Sequence, residues 1–334
     1  MFLRVNLAKL CKKLWTPAMH AKTAIVMLNL GGPVTLSHVE PFLKTLFGDR
    51  DLIKLPGPAW FQPTYAWGIA KIRTKGAQKK YAEIGGGSPL LRETALQAST
   101  LRTELRSLGF EGPIKLIFRT SQPRAESMLK VLKREGIHQI LPLSLYPHDC
   151  KATIGSSMRE LEQLAPKYGI SILPGVLHYA DHPKYITALG QLIRDKLDEL
   201  PYATVIFSAH SLPVNQIENG DPYEDEIHKS VEAIKQFLGD IPGGYLLGYQ
   251  SRVGPIRWLT PSLKTVLKDC RGRDVIIVPI SFVSEHIETL HELDIEYRET
   301  AQKLGIRNYA RVQTVGINSE FIHCLSQLVI QNLK

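Results

Sequence analysis

The chain has 334 residues, 44% hydrophobic and 22% charged, which suits a globular protein with an ample core, built as one large α/β domain or as two lobes. Its four cysteines (Cys11, Cys150, Cys270, Cys324) are scattered and form no C-x-x-C, so neither a disulfide framework nor a cysteine-only metal cage is expected. The net charge of +9 is unevenly placed, and no Lys/Arg stripe with interleaved aromatics follows the first residues, so no nucleic-acid partner is expected.

The N-terminal stretch "MFLRVNLAKLCKKLW" repeats Leu3, Leu7, Leu10 and Leu14 as a narrow apolar stripe with lysines around it. No acid occurs before Glu40. Such a basic, amphipathic start resembles a mitochondrial presequence or a membrane-surface helix, the alternative being a disordered basic tail. As a presequence it directs the protein to the matrix side of the inner membrane; otherwise the protein is expected in the cytoplasm. No later stretch reaches the about 18 uninterrupted apolar residues of a spanning helix.

From residue 23 onward short apolar runs alternate with helical patterns. "TAIVMLNL" (23–30), "IKLIF" (114–118) and "QILPLSL" (139–145) read as buried parallel strands, with helices over 92–108 and 124–136 between them. The second half repeats the scheme with "ATVIFSAH" (203–210), "GYLLGYQS" (244–251) and "DVIIVPISFV" (274–283), separated by helices near 183–199, 223–238 and 285–304. "GDPYEDEI" reads as a helix start with Asp221 as N-cap and Pro222 at N1. The reading is an α/β protein of two doubly wound, Rossmann-like lobes with parallel sheets and a cleft between them. A leader covers 1–21, the first lobe 22–175 and the second 176–334.

Ligands of such sheets bind beyond the C-terminal ends of the strands. There lie "LNLGGP" (28–33), "SLYPHD" (144–149), "SAHSLP" (208–213) and "SFVSEH" (281–286). Gly31-Gly32 does not complete G-x-G-x-x-G, so no dinucleotide fingerprint is met. The stretch 51–73, rich in proline and aromatics, fits neither strand nor regular helix. It reads as a satellite core under a long loop, or as an apolar lip for a flat ligand or a membrane surface.

Between Glu285 and Glu296 the chain places five carboxylates and two histidines without a lysine or arginine. Like charges at i,i+4 cost roughly 0.2–0.5 kcal/mol per pair. Glu288, Glu292 and Glu296 stand at that spacing, with Glu285 a turn earlier, so at about 100° per residue the four share an arc of about 80°. The bland reading is an amphipathic helix with Ile287, Leu290, Leu293 and Tyr297 inward.

"PISFVSEHIETLHELDIEY" (279–297) resembles the signature of the ferrochelatase family, and "MLNLGGP", "GGGSPL", "FSAHSLP", "GDPY", "YQSRVGP" and "IRWL" occur in that family's order over about 22–334. The resemblance implies insertion of Fe²⁺ into protoporphyrin IX to give protohaem, with Fe²⁺ as substrate and no permanently bound cofactor. It places His210 over the macrocycle as proton acceptor, metal ligand or both, with Glu288 as second metal-site residue. Glu292 and Glu296 continue a path for metal or protons. An imidazole and oxygen site does not exclude zinc. The implied porphyrin wall is Met27, Leu30, Phe42, Leu46 and the segment 51–61. Arg73, Tyr81 and Ser88 match porphyrin-contacting positions, Arg119 is expected to face the cleft, and Trp258 to grip the ring. Arg73 and Arg119 suit carboxylates.

The departures from the family pattern are Thr120 for an aromatic, His148-Asp149 for Gln-Tyr and Tyr249 for tryptophan. Lys151 stands at the place of an internal cluster cysteine, and no [2Fe–2S] cluster is expected. Peripheral membrane contact through the apolar lip, and a monomer or homodimer, complete the implied partners. The alternatives are a chelatase for another tetrapyrrole or metal, and a non-catalytic porphyrin or haem carrier.

Overall fold

The computed structural model describes residues 22–333; the basic leader lies outside the described residues. Among the described residues eight strands form two four-stranded sheets: β1 (Thr23–Asn29), β2 (Ile114–Phe118), β3 (Gln139–Ser144) and β4 (Ser171–Ile172), then β5 (Thr204–His210), β6 (Tyr245–Gln250), β7 (Asp274–Val278) and β8 (Asn308–Arg311). The orders are β2-β1-β3-β4 and β6-β5-β7-β8, and every pairing is parallel. The two edge strands β4 and β8 were not expected from the sequence.

In each sheet the chain leaves its first strand toward one side and returns on the other. The carboxyl ends of β1 and β5 are therefore topological switch points, where side chains can face an open crevice. β1 ends at Asn29 and β5 at His210.

The strands are apolar throughout because both faces are covered. Along β1, Ile25 and Met27 enter one core cluster while Val26 and Leu28 enter another, the period of two expected of a strand. The first cluster is continuous across the molecule. It joins Leu141 and Leu143 of β3 to Val205 and Phe207 of β5, through the helices Leu90–Ser107, Pro183–Glu199 and Ser319–Asn332. Each fully buried Leu, Ile or Phe contributes about 1.5–3 kcal/mol. A polar strap reinforces it: Gln97 donates to the carbonyls of Val283 (3.0 Å) and Gly316 (3.1 Å), and Ser284 donates back to Gln97 (3.1 Å).

The segment 51–73 differs from expectation. A 3₁₀ turn at Ala59–Phe61 leads into a 22-residue helix, Gln62–Glu83. Pro63 sits in its first turn, where no intrahelical donor is lost. The buried stripe Ala66, Ala70, Thr74 is small, so hydrophobic patterning hides it. It packs on the Val39–Gly48 helix through Val39, Leu43 and Phe47, forming a satellite core. The Tyr223–Leu238 helix has the expected span, but its cap is Pro222 rather than Asp221, whose carboxylate accepts from the Tyr223 amide at 3.1 Å.

Candidate active site

Beyond the switch points lies a cavity of about 350 Å³, within the size range of small-molecule sites. Leu30, Phe42, Leu46 and Ile287 form part of an apolar wall, and Tyr81, Ser88, His210 and Glu288 also line it. The loop after β1 reaches it through two glycines. Gly31 has φ +91°, and a Cβ on Gly32 would stand 2.7 Å from the Ser88 Cβ. The Ser88 amide donates to the Pro33 carbonyl at 2.7 Å, so "LGGP" and "GGGSPL" interlock. Thr120, one of the departures from the family pattern, donates both its hydroxyl (2.7 Å) and its amide (2.8 Å) to the Leu30 carbonyl and holds this loop.

His210 leaves the end of β5 with its backbone fastened: its amide donates to Ser281 Oγ at 3.0 Å, and Tyr223 Oη donates to its carbonyl at 2.9 Å. Its Nδ1 lies 2.7 Å from Glu288 Oε2. With Glu288 ionised, Nδ1 carries the proton of that bond, and in the neutral ring Nε2 keeps the lone pair. Burial opposes a charge on this ring, but the Glu288 carboxylate, then Glu292, outweighs it and raises the imidazole above its ordinary value. Burial likewise opposes a charge on Glu288; His210, His286 and the Ser251 hydroxyl overcome it and hold that carboxyl well below the usual range.

The acidic segment is not an α-helix. Glu288–Tyr297 is a π-helix, a rare, wider turn closed by i→i+5 bonds and often found at functional sites. The four-acid arc counted at α-helical pitch therefore does not hold. Glu285 and Asp294 both pair with Arg311, Glu285 at 3.0 Å and Asp294 through two bonds of 2.8 and 2.7 Å. Glu296 pairs with Lys80 at 2.7 Å. Glu292 is held by the backbone amide of Ser251 (2.8 Å), the Ser251 hydroxyl (2.5 Å) and Gln250 Nε2 (3.2 Å). Burial and the charge of Glu288 raise its pKa.

Ser251, not singled out from the sequence, joins the two central acids, since its Oγ also lies 2.9 Å from Glu288 Oε2. It adopts φ +64°, the one left-handed non-glycine among the described residues, which lets amide and hydroxyl reach the same carboxylate. Ser208 fixes Gln250 from behind at 2.6 Å.

Other expected contacts sit elsewhere. Arg119 does not face the cavity: Asp49 (2.7 Å), Glu160 (2.9 Å) and Asp51 (3.4 Å) surround its guanidinium. Arg73 is exposed and lies over the Phe47 ring at 5.6 Å. Met27 is fully buried in the main core, because mid-strand it points between the layers. Trp258 pairs by backbone with Pro213 and, like 51–61, is outside the cavity lining. His291 ties the π-helix to Glu83 at 2.8 Å, and His286 lies 4.0 Å from Glu288 Oε1.

His148 lines the cavity and is 2% exposed. The Ser230 hydroxyl donates to the Ala180 carbonyl at 2.5 Å, so its oxygen accepts from His148 Nε2 at 2.9 Å. That leaves Nδ1 bare and without a partner, and burial drives the ring's pKa down to about 3. Among the described residues no three His, Cys, Asp or Glu side chains form a closed metal cage. His210 and Glu288 form a two-residue pair at the cavity.

The ferrochelatase family model matches residues 22–333. The ferrochelatase of Synechocystis sp. is 42% identical over 325 residues, covering 93% of this chain and 83% of its own length. That of Geotalea daltonii is 42% identical over 318 residues, covering 93% and 98%. Among solved structures, SirB from Bacillus subtilis with Fe³⁺ shares the fold, with a TM-score of 0.56 at 14% identity over 93% of this chain and 95% of its own. The chain belongs to the ferrochelatase family.

Proposed function

We propose that this enzyme inserts Fe²⁺ into protoporphyrin IX to form protohaem. The observation that carries the reading is the His210–Glu288 pair, 2.7 Å apart at the edge of an apolar cavity at the β5 switch point. Metalation removes two pyrrole protons and delivers a partly dehydrated cation to the ring. In its neutral form His210 accepts the two pyrrole protons in turn at Nε2, releasing the first to solvent before it takes the second, and Glu288 stabilises the imidazolium formed each time. Glu288 also offers its carboxylate to the incoming metal, and the macrocycle nitrogens complete the coordination that the pair lacks. Glu292, poised by Ser251, and Glu296 continue the path outward.

The membrane contact rests on Trp60, just before the Gln62–Glu83 helix, and on Trp67 and Ile72 within its first half, which are 75%, 57% and 83% exposed. Among the described residues no helix is long and apolar enough to cross a membrane. The mitochondrial assignment rests on the sequence of 1–21 alone.

Anaerobic incubation with protoporphyrin IX and Fe²⁺, and in parallel Zn²⁺, followed optically, tests this function. Metalloporphyrin formed catalytically supports it. Tight porphyrin binding with no product under either metal would make the protein a carrier and overturn it.

A further inference from the structure

The cavity wall is apolar, yet the substrate of the proposed reaction, on which this inference rests, is a dicarboxylate. Ionised carboxylates entering such a cavity need a compensating cation. The two arginines suited to that task are not there: Arg119 is held by three carboxylates and Arg73 stacks on Phe47 at the surface. Among the described residues, one lysine or arginine lines the cavity, and it is Lys80. It stands on the last turn of the Gln62–Glu83 helix, beside Tyr81, which also lines the cavity.

We propose that Lys80 is the residue that binds a substrate carboxylate, and that it does so in competition with Glu296. In the structure its ammonium is 2.7 Å from Glu296 Oε1, and the pair is half-exposed. Glu296 is the outer acid of the π-helix and also lies 3.8 Å from His291 Nδ1. Lys80 therefore has two anionic partners, one resident and one arriving. A ligand carboxylate that takes the lysine releases Glu296, so occupancy of the cavity changes the charge balance at the outer end of the acid series. A neutral ligand makes no such demand and leaves the Lys80–Glu296 pair closed. Lys80 is on this account a specificity-determining residue for acidic over esterified macrocycles.

The test measures binding of protoporphyrin IX and of its dimethyl ester by fluorescence, without metal, to wild type, Lys80→Met, Lys80→Arg and Glu296→Gln. Lys80→Met should weaken the diacid about three- to fivefold, the upper range for a half-exposed ion pair, and leave the ester unchanged. Lys80→Arg should restore diacid binding. Glu296→Gln should tighten it, because the resident competitor is gone. Equal loss for diacid and ester in Lys80→Met, or no loss for either, overturns the assignment while leaving the metal-insertion reading intact. A wild type that binds neither porphyrin overturns both.

Discussion

Replacing Arg311 by methionine isolates the scaffold that holds the acidic segment. The guanidinium is buried and makes two bonds to Asp294 and one to Glu285, whose Oε1 also accepts from the Thr314 amide at 2.9 Å. Removing the cation leaves two partly buried carboxylates uncompensated, which costs about 3–5 kcal/mol when one side of a buried pair is lost. Glu285 and Asp294 retain 20% and 26% exposure, so water recovers part of that and the lower end is expected. In the wild type, burial opposes the Glu285 charge and Arg311 overcomes it, holding the pKa down. That stabilisation is present above the carboxylate range and lost as pH falls through it. Without Arg311, burial is opposed only by the bonds from Thr289 and Thr314, so the Glu285 pKa rises relative to wild type and the variant is relatively least impaired at acid pH. Denaturant unfolding at pH 7.5 and at pH 5, for Arg311→Met and for the triple variant that adds Glu285→Gln and Asp294→Asn, should show the gap to wild type narrowing at pH 5. The triple variant should recover at least half of the loss. A loss under about 1 kcal/mol, or no recovery in the triple variant, would refute the claim that Arg311 compensates these acids.

Three further outcomes follow from the site. Because His210 must be neutral to accept a proton and Glu288 raises its pKa, insertion should rise with pH along a limb displaced upward from that of an ordinary imidazole; Glu288→Gln should move that limb to lower pH as well as slow the reaction, which a pH–rate profile reads. Gly32→Ala drives a Cβ against Ser88 and should cost about 1–3 kcal/mol together with weaker porphyrin binding, measurable by thermal unfolding and fluorescence titration. His148→Leu should leave the Ser230 hydroxyl's bond to Ala180 in place while His148→Asp buries a charge, so the first should stay within about 2 kcal/mol of wild type and the second should fail to fold, by circular dichroism.

The strands were legible because a strand buried on both faces writes itself as an unbroken apolar run, as "TAIVMLNL" does. β4 and β8 were not, since two and four residues of mixed polarity carry no pattern. The Gln62–Glu83 helix is not legible in the sequence because its inward residues are alanines and a threonine, and aromatic bulk and proline dominate its start. At the site, His210 and Glu288 could be named from one contiguous motif each. Arg119 could not be placed: an arginine at a strand end points to a ligand or to acids distant in sequence with equal reason, and Asp49 and Glu160 decide it only once folded. Nor does an alternating run of acids announce a π-helix, whose widened turn depends on what packs around it. Ser251 carried one readable hint, a serine directly after a strand inside "YQSRVGP", but its left-handed backbone is visible only in three dimensions.

The most direct test of the account is a single-turnover comparison of wild type, His210→Ala and Glu288→Gln, with porphyrin pre-bound and Fe²⁺ added anaerobically. Porphyrin binding that survives in both variants, with insertion abolished in His210→Ala and strongly slowed in Glu288→Gln, is the predicted result. Insertion at the wild-type rate in His210→Ala would contradict the assignment of the proton acceptor and, with it, the catalytic reading of the His210–Glu288 pair.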